Sequence, residues 1–199
     1  MSDVMDPQPV LLVPGWSDTA RQLRHARQHL LRAGWPESHV QAISFRDRYG
    51  CNIEHADELA GAVATLLAAT GASQASIIAH SMGGLATRRY LSDGGGGAVR
   101  SVIFAGTPHR GTLLAHAAWG AGGAQMKPGS AFLRDLAERP IPEGVRAWCL
   151  RTPLDLRIIP GSSAWLDGTE CISVRALRHQ WLLRDRAVLR TVTALLRSR

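Results

Sequence analysis

Short, largely apolar runs alternate along this chain with longer stretches whose apolar residues return every three or four positions. The runs are residues 10–13, 40–45, 75–79, 99–105, 145–150 and 171–174, and each predicts a strand, the first of them a buried one. Helical patterns lie between them. A polar–apolar stretch from about Asp18 stops at Gly34, a residue type that ends helices. Over 54–70, Leu59, Val63, Leu66 and Leu67 fall on one helical stripe, Asp57 and Glu58 occupy the early turns, and Gly71 follows. Further helices are predicted over 82–91 and 181–196, the latter with Val188, Leu189, Val192, Leu195 and Leu196 on one stripe. Near-continuous apolar strands alternating with helices predict an α/β fold. Its mostly parallel sheet of about six strands is covered by helices on both faces.

Two stretches break the alternation. Residues 94–97 are consecutive glycines, read as a floppy link from helix to strand. Residues 112–143 are rich in Gly, Ala and Pro, with one short helix predicted at 131–138, and connections of this length are often functional. Leu113, Leu114, Trp119, Met126, Phe132 and Leu133 in this stretch suit an acyl-pocket wall or mobile flap, or equally a small satellite core. A length of 199 residues fits a single domain, 1–199, carrying that insertion.

Composition narrows the function classes. With 45% apolar and 20% charged residues the chain is globular rather than disordered. The excess of 23 basic over 16 acidic residues gives +7, nearly all arginine, since Lys127 is the only lysine. Arg21, Arg24 and Arg27, like Arg184, Arg186 and Arg190, stand at helical spacing without interleaved aromatics. Solvated helix faces explain them better than a nucleic-acid or anionic-membrane surface, so no nucleic-acid partner is expected. Cys51, Cys149 and Cys171 are scattered without a CxxC pair, which speaks against a zinc site and for a reducing compartment. No run approaches the ~18–20 apolar residues that span a bilayer. The N-terminus is acidic, with an apolar stretch far below the ~7–15 residues of a signal segment. A soluble cytoplasmic protein without stable membrane insertion is the expectation, its oligomeric state left open.

The chemistry concentrates in ASIIAHSMGGLATRRYL, where a predicted strand runs through His80-Ser81-Met82-Gly83-Gly84 into a helix. This is the nucleophile-elbow pattern G-x-S-x-G with Ala79 at the first glycine. The serine occupies a strained turn whose neighbours two before and two after must be small, a demand that Ala79 and Gly83 both meet. The turn lifts the hydroxyl above the carboxyl edge of the sheet and aims a helix N-terminus at the reacting carbonyl.

A hydroxyl needs a base, and the base an orienting carboxylate. In this arrangement the chain order is Ser, acid, His. Asp155 follows the strand at 145–150, and His179 follows the strand at 171–174. Asp167 lies in an apparent turn and Asp135 in a predicted helix. His109 and His116 come a strand too early, and His25, His29, His39 and His55 precede the serine. His80 adjoins Ser81 but is read as pointing away from it, a structural residue. Two N–H donors are needed for the oxyanion. Met82 supplies one. The other comes from the loop Pro14-Gly15-Trp16-Ser17, where proline has no N–H; Trp16 is the choice, with Ser17 next.

With these residues placed, the chain resembles the α/β-hydrolases, and among them the small lidless bacterial triacylglycerol lipases. The likeness rests on LLVPGW, LLRAGWPESHVQAISFRD, IIAHSMGG, SVIFAGTPHRGT and the tail from Leu150 through RHQWLL. It implies Ser81 as nucleophile, Asp155 as acid, His179 as base, Trp16 and Met82 as oxyanion donors, and a small-molecule or lipid ester as substrate. No metal or organic cofactor is called for. Pro14-Gly15 stands where the family usually has His-Gly, and Arg178 where it tends to have glycine. A thioesterase or acyltransferase using the same residues, and a non-catalytic binding protein of this fold, are the alternative readings.

Overall fold

The computed structural model describes residues 7–176 and 178–198; most of the acidic N-terminal segment weighed above lies outside them. The described strands are β1 (Val10–Val13), β2 (Val40–Ala42), β3 (Ala75–His80), β4 (Val99–Ala105), β5 (Arg146–Arg151) and β6 (Glu170–Ser173). They form one sheet in the order β2-β1-β3-β4-β5-β6, and every neighbouring pair is parallel.

Both faces are covered, which is why the inner strands read as near-continuous apolar runs rather than strictly alternating ones. On one face Val10, Leu12, Ile78, Ile103 and Leu150 pack against α1 (Arg24–Arg32) and α6 (Arg186–Arg197). On the other, Leu11, Val13, Ile77, Val102 and Phe104 meet α2 (Asn52–Thr70) and α3 (Gly83–Ser92). Ser76 and Ser101 are buried within the sheet, and their hydroxyls pair at 2.9 Å. Gly71 ends α2 in the left-handed conformation (φ 68°) expected of a helix-stopping glycine.

Three expectations need correction. The last helix starts at Arg186, not Trp181, because the Asp185 carboxylate caps it by accepting from Ala187 N and Val188 N; His179–Trp181 form a separate 3-10 turn. The stretch before α1 likewise begins as a 3-10 turn, Ala20–Leu23. The glycine run is not a floppy link either. Residues Gly95–Ala98 form a 3-10 turn, and a Cβ on Gly95 would meet the Tyr90 ring at 2.4–2.7 Å if nothing moved, so bare backbone lies on the aromatic face.

The 112–143 insertion carries α4 (Gly120–Gln125) and α5 (Ala131–Ala137). Met126, Phe132, Leu133 and Leu136 build a small core with Met82 and Leu85 at the start of α3. Leu113, Leu114 and Trp119 stay exposed. One stretch therefore supplies both a satellite core and an apolar rim.

Candidate active site

β3 is the third strand of six and runs directly into the elbow. Ser81 adopts φ 53°, a left-handed conformation that is costly for a side-chain-bearing residue. Its N–H donates to Ala105 O at 2.9 Å, and its carbonyl accepts from Gly84 N at 3.0 Å. The glycines around it are demanded by contact. A Cβ on Gly83 would collide with the Pro14 carbonyl oxygen, one on Gly84 with the Thr107 hydroxyl, and one on Gly15 would lie 2.8 Å from Ser81 Cβ. The β1 loop thus lies directly against the elbow.

Asp155 and His179 come together from loops after β5 and β6. His179 Nδ1 and Asp155 Oδ2 are 2.7 Å apart, and both residues are buried. The other carboxylate oxygen, Oδ1, accepts from Arg157 N at 2.9 Å and Ile158 N at 3.1 Å. Burial pushes the Asp155 pKa up, but the hydrogen bond from His179, its charge and those two backbone N–H groups outweigh it and hold the carboxyl below its ordinary value. For His179 burial is the largest influence and lowers the pKa; Asp155 opposes it, while His80 and Arg157 add to the lowering. A carboxylate can only accept, so Nδ1 carries the proton, and in the neutral ring Nε2 is left with its lone pair.

The competing acids are engaged elsewhere. Asp167 pairs with Arg110 at 3.1 Å on the surface, and Asp135 bonds Arg89 and Arg139. His109 is buried edge-on to Phe104, with Nε2 3.5 Å from Cys149 Sγ. Burial, reinforced by Arg88 and Arg110, holds its pKa well below 6.5. His80, read as structural, is buried; its ring lies 4.8 Å from the ring of His179 and borders the same cavity.

That cavity, about 260 Å³, is bordered by Ser81, His179, Trp16, Leu114, Met126 and Ile158 among others. Trp16 stands in edge contact with Tyr49 and Trp119 at 5.1 and 4.7 Å between ring centroids, and its Nε1 donates to Trp119 O at 3.2 Å. Ser17 N–H is committed to Arg48 O at 3.1 Å, whereas among the described residues the N–H groups of Trp16 and Met82 donate to no other group.

Several supporting residues escaped the sequence analysis although they lie in quoted segments. A Cβ on Gly106 (φ 64°) would come within 2.9 Å of His179 Cε1, so this glycine seats the imidazole. Thr112 Oγ1 donates to Arg157 O at 2.7 Å and accepts from Ile159 N at 3.0 Å, clasping the Asp155 loop. The conspicuous spelling GTPHRGT was their only signal. Thr152, whose Oγ1 donates to Ala176 O at 2.6 Å, had none.

The sheet order, the serine on a left-handed turn after the third strand, and helices on both faces define an α/β-hydrolase fold. Solved structures agree. The mature lipase of Bacillus licheniformis superposes with a TM-score of 0.84 at 13% identity, covering 96% of this chain and 93% of that one. Lipase B of Aspergillus fumigatus superposes with a TM-score of 0.76 at 19% identity, over 89% of this chain and 49% of that one. The model of the family Lipase (class 2) matches residues 7–110, just over half the chain, and the chain belongs to that family of lipase- and esterase-type hydrolases. Two triacylglycerol lipases, from Pseudarthrobacter phenanthrenivorans and Burkholderia plantarii, are each 35% identical over 113 residues, 54% of this chain. The chain spans about a third of their length, 35% and 31% respectively. Among the described residues no helix is long and apolar enough to cross a membrane.

Proposed function

We propose that the chain hydrolyses carboxylic esters through a Ser81–His179–Asp155 triad and an acyl-enzyme. The observation that carries this reading is the 2.7 Å Asp155–His179 hydrogen bond at the border of the cavity that also holds the strained Ser81. His179 Nε2 takes the Ser81 proton as Oγ attacks the acyl carbon. The N–H groups of Trp16 and Met82 hold the resulting oxyanion, and the imidazolium, stabilised by Asp155, returns its proton to the departing alkoxide. Water, activated by the same imidazole, then releases the carboxylic acid and regenerates Ser81.

The apolar border formed by Leu114, Met126 and Ile158 supports an apolar acyl chain, and the names of the matched relatives agree with a lipid ester. In this reading the chain is one hydrolase domain, and 112–143 is its pocket-forming insertion.

A fluorophosphonate probe tests the triad. The wild-type protein is expected to label and Ser81→Ala not to; absence of wild-type labelling, or equal labelling of both, overturns the proposal. A series of p-nitrophenyl esters tests the pocket. A preference for medium or long chains that Leu114→Asp weakens is expected, and acetate as the best substrate contradicts an acyl pocket in the insertion.

A further inference from the structure

A second carboxylate–imidazole pair lies behind the first. His80 is buried, and Asp18 approaches it from the loop after β1, with Oδ2 3.5 Å from His80 Nδ1. On the ring's other side, Nε2 lies 3.3 Å from the main-chain carbonyl of His179. That carbonyl can only accept, so this contact is a hydrogen bond when Nε2 carries a proton. Asp18 is itself tied to the oxyanion loop, its N–H donating to Gly15 O at 3.1 Å. Gly15 in turn packs against the elbow: a Cβ there would lie 3.4 Å from His80 Nδ1 and 2.8 Å from Ser81 Cβ.

Carrying both ring protons, this one imidazole donates on each side and so joins three separate loops. Asp18 belongs to the loop that carries Trp16, His80 directly precedes Ser81, and the carbonyl belongs to the base itself. We propose that His80, held by Asp18, is a positioning residue that locks the His179 loop to the oxyanion loop and so sets base and oxyanion donors together around Ser81. This rests on the serine-hydrolase reading and extends it. It also answers the replacement of His-Gly by Pro14-Gly15: here the tie on the oxyanion loop comes from Asp18, three residues after Gly15, across to His80.

The charged and titratable groups around His80 come from four directions. Asp18 faces Nδ1, and the His179 ring lies 4.8 Å away with Asp155 behind it. Arg157 on the acid loop borders the substrate cavity. Arg184 borders a polar recess of about 130 Å³ on the other side, shared with Asp18, Gln22 and Gln180. His80 is among the groups that lower the His179 pKa, so removing its imidazole moves the titration of His179 upward.

The test compares Asp18→Ala, His80→Ala and His80→Gln with the wild type on one p-nitrophenyl ester across pH. Ångström-scale misplacement of reacting groups costs up to about 10² in rate, so kcat is expected to fall about 10- to 100-fold in the two alanine variants with KM nearly unchanged. His80→Gln keeps an N–H donor for the His179 carbonyl and recovers part of kcat. Both His80 variants move the acid limb of kcat/KM to higher pH. An alanine variant within two-fold of wild-type kcat, equal losses in His80→Ala and His80→Gln, or an unmoved acid limb overturns the proposal. NMR titration of His179 in Ser81→Ala, with and without His80→Gln, needs no turnover. An upward-shifted His179 midpoint, with the wild-type protein hydrolysing no ester, upholds the His80–His179 coupling while the hydrolase reading fails; an unshifted midpoint removes the coupling.

Discussion

The two halves of this molecule position their reactive groups by different physics. In residues 7–110, the part that the family model matches, position comes from close steric contact at bare glycine backbone. Gly83 faces the Pro14 carbonyl, Gly84 faces Thr107, and Gly15 faces Ser81. No larger side chain fits without displacing a strand end. In residues 111–198 Asp155 and its loop are held instead by polar ties: Thr112 to Arg157 and Ile159, Thr152 to Ala176, and Asp155 to Arg157 and Ile158, while the His179 imidazole rests against Gly106 of the other half. Steric closure admits few residue types, so it leaves a repeating spelling. Loop-to-loop hydrogen bonds admit many, so that half carries a fainter signature. Leu154 and Leu156, on the loop that carries Asp155, are exposed and free to vary without touching the sheet.

The comparison can be broken most directly at the reacting groups, one from each half. Ser81→Ala and His179→Ala are each expected to lower ester kcat by about 10⁵–10⁶, and the double variant by no more than either alone. Additive losses in steady-state kinetics contradict a single catalytic unit. Asp155→Asn keeps the shape but not the imidazole tautomer, and about 10⁴ in kcat is expected to go; a loss below ten-fold would assign the acid elsewhere.

Smaller effects sharpen the contrast in how each half is held. Gly83→Ala is expected to destabilise by about 3 kcal/mol, the upper end for overpacking against an unyielding neighbour. Gly161→Ala, where a Cβ meets only the tip of Arg151 at 3.4 Å, should stay within about 0.5 kcal/mol. Urea midpoints that fall equally in both would erase the distinction. Thr112→Val removes two hydrogen bonds from the acid loop, for about 1–3 kcal/mol, together with a several-fold drop in kcat; stability lost with kcat intact would make the clasp purely structural.

The smallest effect is a pH slope. The pKa values of His109 and His179 are lowered in the folded protein, so the unfolded chain binds protons first. The stability that these residues contribute is complete above about pH 6.5, their ordinary value, and is lost as pH falls toward the folded values. His109→Asn removes one such group, flattening the acid side of the stability curve by at most about 1.4 kcal/mol per pH unit. An unchanged slope in denaturant melts at pH 7, 6 and 5 would deny His109 that role.

The sequence by itself determined the sheet and the serine turn at the end of its third strand. Five of the six predicted runs match their strands within one residue, and the run at 40–45 starts with β2 but overruns it by three; the inner strands were legible because burial on both faces favours apolar residues. Ser81 was legible because its turn tolerates only small neighbours. Asp155 and His179 were named from chain order, but only the tertiary structure brought them to 2.7 Å, across a sequence separation of 24 positions. His80 was read as structural, but its partners Asp18 and the His179 carbonyl were hidden, since alternation along a strand describes the direction in which a side chain leaves the backbone and not the loops that fold over the strand's end. The roles of Gly106, Thr112 and Thr152 were hidden for the same reason. Each acts on a partner brought near by sheet order and loop packing, and local periodicity carries no record of such distances.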